Sequence, residues 1–211
     1  MGWEVLLLCG YWNLWIHKLS SWPAATPVKK FKLPELRSAI KQLRSHQAPG
    51  HGLITGRILN ELPDKGIRAA IQILNSVLRT GYYPGQWKVF QIIAILKPAE
   101  ELTSFRPISS LPIPSKLFEK LLLTRIKPIL QETRIVPAHH FGFTQKHIAT
   151  GQVCRITNVV YKALESNKYR TAALLGSGQA FDKVWHEGLI YKIKTLFPNN
   201  IYKILKSYLE K

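Results

Sequence analysis

Leu174-Leu175-Gly176-Ser177-Gly178-Gln179-Ala180-Phe181-Asp182-Lys183-Val184-Trp185-His186 is the stretch on which the fold of this 211-residue chain turns. An apolar run of the kind that fills a buried strand ends at Gly176, a glycine-bearing turn follows, and Asp182 stands where a helix opens. A carboxylate at a helix start stabilises the orphan backbone amides there, so Asp182 reads first as a helix-start residue. Gly176, where the apolar run ends, has only a hydrogen atom for a side chain.

Outward from this stretch, the chain is basic. Lys and Arg number 30 against 12 acids, a formal net charge of +18, with 46% apolar and 20% charged residues. That composition suits one globular domain or one and a half, not a disordered chain. A cationic excess of this size points to a polyanionic partner, nucleic acid above all, rather than to a merely solvated surface. Cys9 and Cys154 are too few and too far apart for a disulfide framework or a cysteine-rich zinc site, and they fit an intracellular setting, nucleus or cytoplasm. No apolar run reaches the roughly 18 residues of a membrane span, so no membrane partner is expected. The histidines show no zincin spacing, and neither a Walker loop nor a Gly-x-Ser-x-Gly elbow occurs.

Residues 1–26 stand apart, with four of the six tryptophans and few charges, and Ser20-Ser21-Trp22-Pro23 marks a break after them. A helix is expected from Pro34, with Leu36, Ala39, Ile40 and Leu43 on one face. A second carries Ile54, Ile58, Leu59 and Leu62. A third carries Ile67, Ala70, Ile71, Leu74, Val77 and Leu78 and is stopped by Gly81 and Pro84. The β-branched run Val89–Leu96 reads as a strand, and Phe105–Ser110 as a short extended segment. Leu117 to Leu130 predicts a long helix with a kink at Pro128, and Thr150 to Leu164 another with Val153, Ile156, Val160 and Ala163 inward. A strand over 170–175 leads into the opening motif, and helices at Leu189–Leu196 and Ile201–Leu209 follow.

From Pro27 to Lys211 the chain resembles reverse transcriptases of non-LTR retrotransposons, jockey-type elements in particular. The residues that carry the resemblance are Ala180-Phe181-Asp182-Lys183-Val184-Trp185-His186, Ile95-Leu96-Lys97-Pro98, Ser104-Phe105-Arg106-Pro107-Ile108, and the long match from Arg106 to Ile126 that includes Lys116-Leu117-Phe118-Glu119-Lys120-Leu121-Leu122-Leu123. The resemblance implies an α+β fold. It comprises the fingers and a partial palm of a right-hand polymerase, without the thumb and later palm strands. The organisation expected is an unrecognised extension over 1–26, fingers over 27–168, and partial palm with a degenerate metal motif over 169–211. It also implies RNA-directed DNA polymerase (nucleotidyltransferase) chemistry, an RNA template with a DNA primer or an RNA–DNA hybrid, dNTP as substrate, and Mg²⁺ as cofactor. Oligomeric state is left open.

Site residues carry over position by position. In such enzymes two divalent ions clamp the attacking and leaving oxygens, and carboxylates hold the ions. One such carboxylate ends the strand where this chain has Gly176; the others come from an Ala-Asp-Asp hairpin, and these 211 residues contain no Asp-Asp pair. No intact catalytic or metal-binding residue is therefore expected, and the chain is expected to be inactive. With no such hairpin beside it, the Leu174 strand is expected to leave a raw edge and lower stability. Lys97 and Arg106 would reach toward the triphosphate, since cations stabilise charge on phosphoryl oxygens. Phe181 would either pack under the nucleotide sugar or serve as a core aromatic. Gln145 and Lys146 would face nucleic acid. Two further motifs depart from the family at their centres, with Gly52 in Ala48-Pro49-Gly50-His51-Gly52 and Thr144 in Phe141-Gly142-Phe143-Thr144. The alternatives are a non-catalytic RNA- or DNA-binding remnant and a pseudogene product without a role.

Overall fold

The computed structural model describes residues 28–43, 49–96, 105–133, 135–136, 140, 142, 148–172 and 183–210. Within them the elements run α1 (Leu33–Lys41), α2 (Gly56–Asn60), α3 (Asp64–Thr80), α4 (Gly85–Lys88), β1 (Gln91–Leu96), β2 (Phe105–Ser110), α5 (Ile113–Thr133), α6 (Ala149–Glu165), α7 (His186–Leu196) and α8 (Asn199–Leu209). Helices with one small antiparallel sheet make a mixed α and β architecture. The unrecognised extension over 1–26 and the strand expected at Leu174 lie outside the described residues.

The core is helical. Leu36, Ala39 and Ile40 of α1, Leu74, Val77 and Leu78 of α3, and Leu117, Phe118, Leu121, Leu122 and Ile126 of α5 are buried together. These are the positions that a 3.6-residue period assigns to one face. Ile193 of α7 and Ile201, Ile204 and Leu205 of α8 enter the same cluster. The centre is aromatic. Phe118 packs edge-on to Phe31 and Tyr83 at centroid distances of 5.9 Å each and lies tilted against Trp87 at 5.8 Å. Such edge contacts set the positive rim of one ring against the negative face of another.

Helix ends follow their local chemistry. Thr55 caps α2 by accepting a hydrogen bond from the Ile58 amide at 3.3 Å. Gly81 closes α3 in the left-handed region at φ 71°. A Cβ there would lie 2.5 Å from Cβ of Lys203, so α3 can approach α8 this closely only without a side chain at 81. Pro128 sits inside α5, which nonetheless runs from Ile113 to Thr133.

Several expectations need correction. The second helix is a short turn over Gly56–Asn60, because Pro63 opens the next helix; Ile54 and Ile58 lie outside the core. The strand begins at Gln91 rather than Val89, after the one-turn helix α4 that Pro84 introduces. Helix α6 forms over nearly the expected span, yet Val153 is 58% and Ile156 56% exposed, and only Ala163 is buried. The stripe has the right period, but no described element covers it.

Candidate nucleotide and nucleic-acid site

The two fingers motifs pair. β1 and β2 form an antiparallel hairpin with the register Gln91↔Ser110, Ile92↔Ser109, Ile93↔Ile108, Ala94↔Pro107, Ile95↔Arg106 and Leu96↔Phe105. Arg106 therefore stands opposite Ile95, next to the last pair, Leu96↔Phe105, and Lys97 follows Leu96 directly in sequence. Every residue of β1 is exposed, so the hairpin stands off the core as an arm. Its isoleucines are restricted at χ1, which disfavours helix and raises strand propensity.

The root of the arm is fixed where β2 meets α5. Gly50 has φ 72°, and a Cβ there would lie 2.7 Å from the Leu111 carbonyl oxygen and 2.9 Å from the Pro112 nitrogen. The loop containing Pro49 and Gly50 thus lies directly on the joint between hairpin and helix, which only glycine permits. A Cβ at Gly52 would meet nothing within 4 Å. Glycine is not required sterically there.

Below the root lies a buried polar chain. The Tyr83 hydroxyl and the Ser115 hydroxyl are 2.6 Å apart, and Ser115 Oγ lies 3.5 Å from Glu119 Oε1. Burial is the main cause that raises the Tyr83 phenol, against the opposing bond from Ser115. Burial also pushes Tyr208 up to about 12, with the Glu119 charge adding to it. Both phenols stay neutral through the physiological range. Burial lowers Lys116, which the Glu119 charge opposes, and burial lowers Lys120. Sequence reasoning missed this chain. Its trace was Ser115 and Glu119 four residues apart on the helix, on the side that Leu122 and Phe118 share.

The structure brings only part of the expected site into view. Arg106 is placed on β2, while Lys97, Gln145, Lys146, Gly176 and Phe181 lie outside the described residues. Among the described residues, no three His, Cys, Asp or Glu side chains gather to hold a metal ion. Gly176 has no side-chain oxygen to offer an ion such as Mg²⁺. Among the described residues, no helix is long and apolar enough to cross a membrane.

β2, rooted on a long helix beside a glycine-dependent loop, lies within the segment that a known family pattern matches. The chain belongs to the reverse transcriptase (RNA-dependent DNA polymerase) family, whose pattern matches residues 95–211. It is 42% identical over 187 residues to a probable RNA-directed DNA polymerase from transposon BS of Drosophila melanogaster, covering 87% of this chain and 21% of that protein. It is 38% identical over 194 residues to the RNA-directed DNA polymerase from mobile element jockey of the same organism, covering 90% and 21%. A probable RNA-directed DNA polymerase from transposon X-element, also of Drosophila melanogaster, is 38% identical over 187 residues, covering 87% and 21%. The chain is a reverse transcriptase-like segment of non-LTR retrotransposon type, and it spans about a fifth of the length of these relatives.

Proposed function

We propose that this polypeptide is the fingers and first palm portion of an RNA-directed DNA polymerase that has lost its chemistry and kept its affinity for nucleic acid. Gly176 carries the reading. The transfer of a nucleotidyl group needs carboxylates to hold two cations, and the strand-end carboxylate is replaced by hydrogen. The hairpin that carries Arg106 supports retained phosphate recognition, with Lys97 following β1 directly in sequence. The net charge of +18 supports a nucleic-acid partner over a role-less product. On this reading Phe181, Gln145 and Lys146 belong to the same nucleotide- and template-facing surface.

Primer extension tests the loss of chemistry. The 211-residue polypeptide, given an RNA template, a DNA primer, dNTP and Mg²⁺, incorporates no nucleotide. Incorporation above a protein-free control overturns the inactive reading. Binding to an RNA–DNA hybrid weakens steeply as salt rises, because released counterions drive it; affinity independent of salt overturns the retained-affinity half.

A further inference from the structure

Away from the hairpin, the extended segment that leads into α1 is held with unusual completeness. Arg125 of α5 donates from Nε to the Lys29 carbonyl at 3.1 Å and from Nη2 to the Lys30 carbonyl at 3.2 Å. Asn75 of α3 accepts from the Phe31 amide at 2.8 Å and donates to the Phe31 carbonyl at 3.0 Å, so one side chain stands in for a neighbouring strand. The Lys32 amide donates to Glu35 Oε2 at 2.8 Å. The Phe31 ring is buried, with the Arg125 guanidinium 5.3 Å above its centre.

These bonds span three helices, and they leave Lys29, Lys30 and Lys32 exposed on a fixed backbone. Glu35, the carboxylate that bonds to this segment, is already engaged by Arg125, whose Nη2 lies 3.0 and 2.8 Å from its two oxygens. The bond from Arg125 is the main cause that holds the Glu35 carboxyl below the ordinary range, with the Lys32 amide and charge adding to it. Among the described residues none of the three ammonium groups closes an ion pair of its own. Alternation along an extended chain sends Lys30 and Lys32 away from the buried Phe31.

We propose that Lys29, Lys30 and Lys32 form a preorganised strip that docks the phosphate backbone of single-stranded nucleic acid, with Arg125 as the positioning residue. The inference rests on the nucleic-acid reading above, but it names a second surface. The strip favours a phosphodiester strand over a lipid surface because its large apolar member is turned inward, leaving no exposed wedge to enter a bilayer. Fixing the backbone beforehand lowers the ordering cost that free lysines would meet on binding.

The test uses the whole polypeptide and a fluorescein-labelled oligouridylate, with affinity measured across a salt series. Replacing Lys29, Lys30 and Lys32 together by Gln lowers affinity on the order of tenfold or more at moderate salt, and it reduces the slope of log affinity against log salt by about 2, as expected for three lost phosphate contacts on a single strand. A control triple, Lys65→Gln with Arg68→Gln and Lys168→Gln, removes the same charge elsewhere and changes the slope by less than half as much. Arg125→Met weakens binding while leaving the slope nearly unchanged, because the charges that meet phosphate remain and only their ordering is lost. Equal losses for the two triples overturn the strip in favour of diffuse attraction. So does a strip triple that binds RNA normally yet no longer binds phosphatidylserine vesicles. An unaltered chain that fails to bind oligouridylate at low salt overturns the broader reading and this one together; one that binds but is indifferent to the strip triple overturns this one alone.

Discussion

Phe118→Ala removes the ring that joins the N-terminal segment, the turn after α3 and α5. The ring is fully buried and meets Phe31, Tyr83 and Trp87 at centroid distances of 5.8 to 5.9 Å. Burial of such a side chain contributes about 1.5–3 kcal/mol. Each well-oriented aromatic contact adds about 0.5–1.5 kcal/mol. These terms overlap, because the same atoms are counted in both, and Phe→Ala substitutions in cores cost about 3–5 kcal/mol in practice. The surrounding rings come from two separate stretches of backbone and are themselves packed together, so collapse into the gap is hindered and the upper half of that range applies. With a urea slope of about 2–3 kcal/mol per molar, the unfolding midpoint falls by about 1.5–2 M. Equilibrium urea unfolding followed by tryptophan fluorescence and far-UV circular dichroism measures this, with coincident transitions required. A midpoint lowered by less than about 0.5 M at an unchanged slope refutes the placement of Phe118 at the junction of the core.

Three further outcomes are expected. Gly81→Ala forces a side chain into the left-handed region against Cβ of Lys203, at a cost of about 2–4 kcal/mol; calorimetry registers a melting temperature lower by roughly 5–10 °C, and an unchanged value contradicts the close approach of α3 and α8. The Glu35 carboxyl is lowered by its bond from Arg125, so the pair's contribution is present above the unfolded-state pKa and is lost as pH falls through the lowered folded-state value. Glu35→Gln should accordingly flatten the acid limb of the stability–pH curve, and a curve identical to that of the unaltered chain would count against the pair. Gly176→Asp restores one oxygen donor and no polymerase activity, since Asp64 would be the only other aspartate besides Asp182; dNTP incorporation by that variant would show that the missing carboxylates are not needed.

Much of the helical framework was legible because it obeys a period. Leu36, Ala39 and Ile40, and then Leu74, Val77 and Leu78, recur at helical spacing and are buried as that spacing demands. Periodicity failed where it had to stand for contact. The stripe of α6 has the same regularity as that of α3, but a pattern says which face is apolar and not what lies against it. A β-branched run suggested a strand, and the strand forms, but nothing in the run told that β1 is exposed along its whole length. Of the candidate site, Arg106 could be read because it lies within a long matched segment, and its partner across the ladder could not. The harness of Phe31 was invisible in the sequence, since Asn75 and Arg125 meet it from 44 and about 95 residues away through side chains whose reach no local pattern encodes. Gly50 was visible as a motif letter, but its reason, contact with the Leu111 carbonyl, was not.

Tyr83 sets a clock on synthesis. Its amide donates to Ser207 Oγ at 3.0 Å, and its ring stacks edge-on to Tyr208 at 5.0 Å. A ribosome adding 5–20 residues per second takes about 6–25 s to travel from one tyrosine to the other. Throughout that interval the nascent chain holds α3 and its aromatic turn without their lid, and chaperones have ample time to engage them. Translation that halts shortly before α8 would leave this apolar seam open for good, so such products are the ones quality control should remove first.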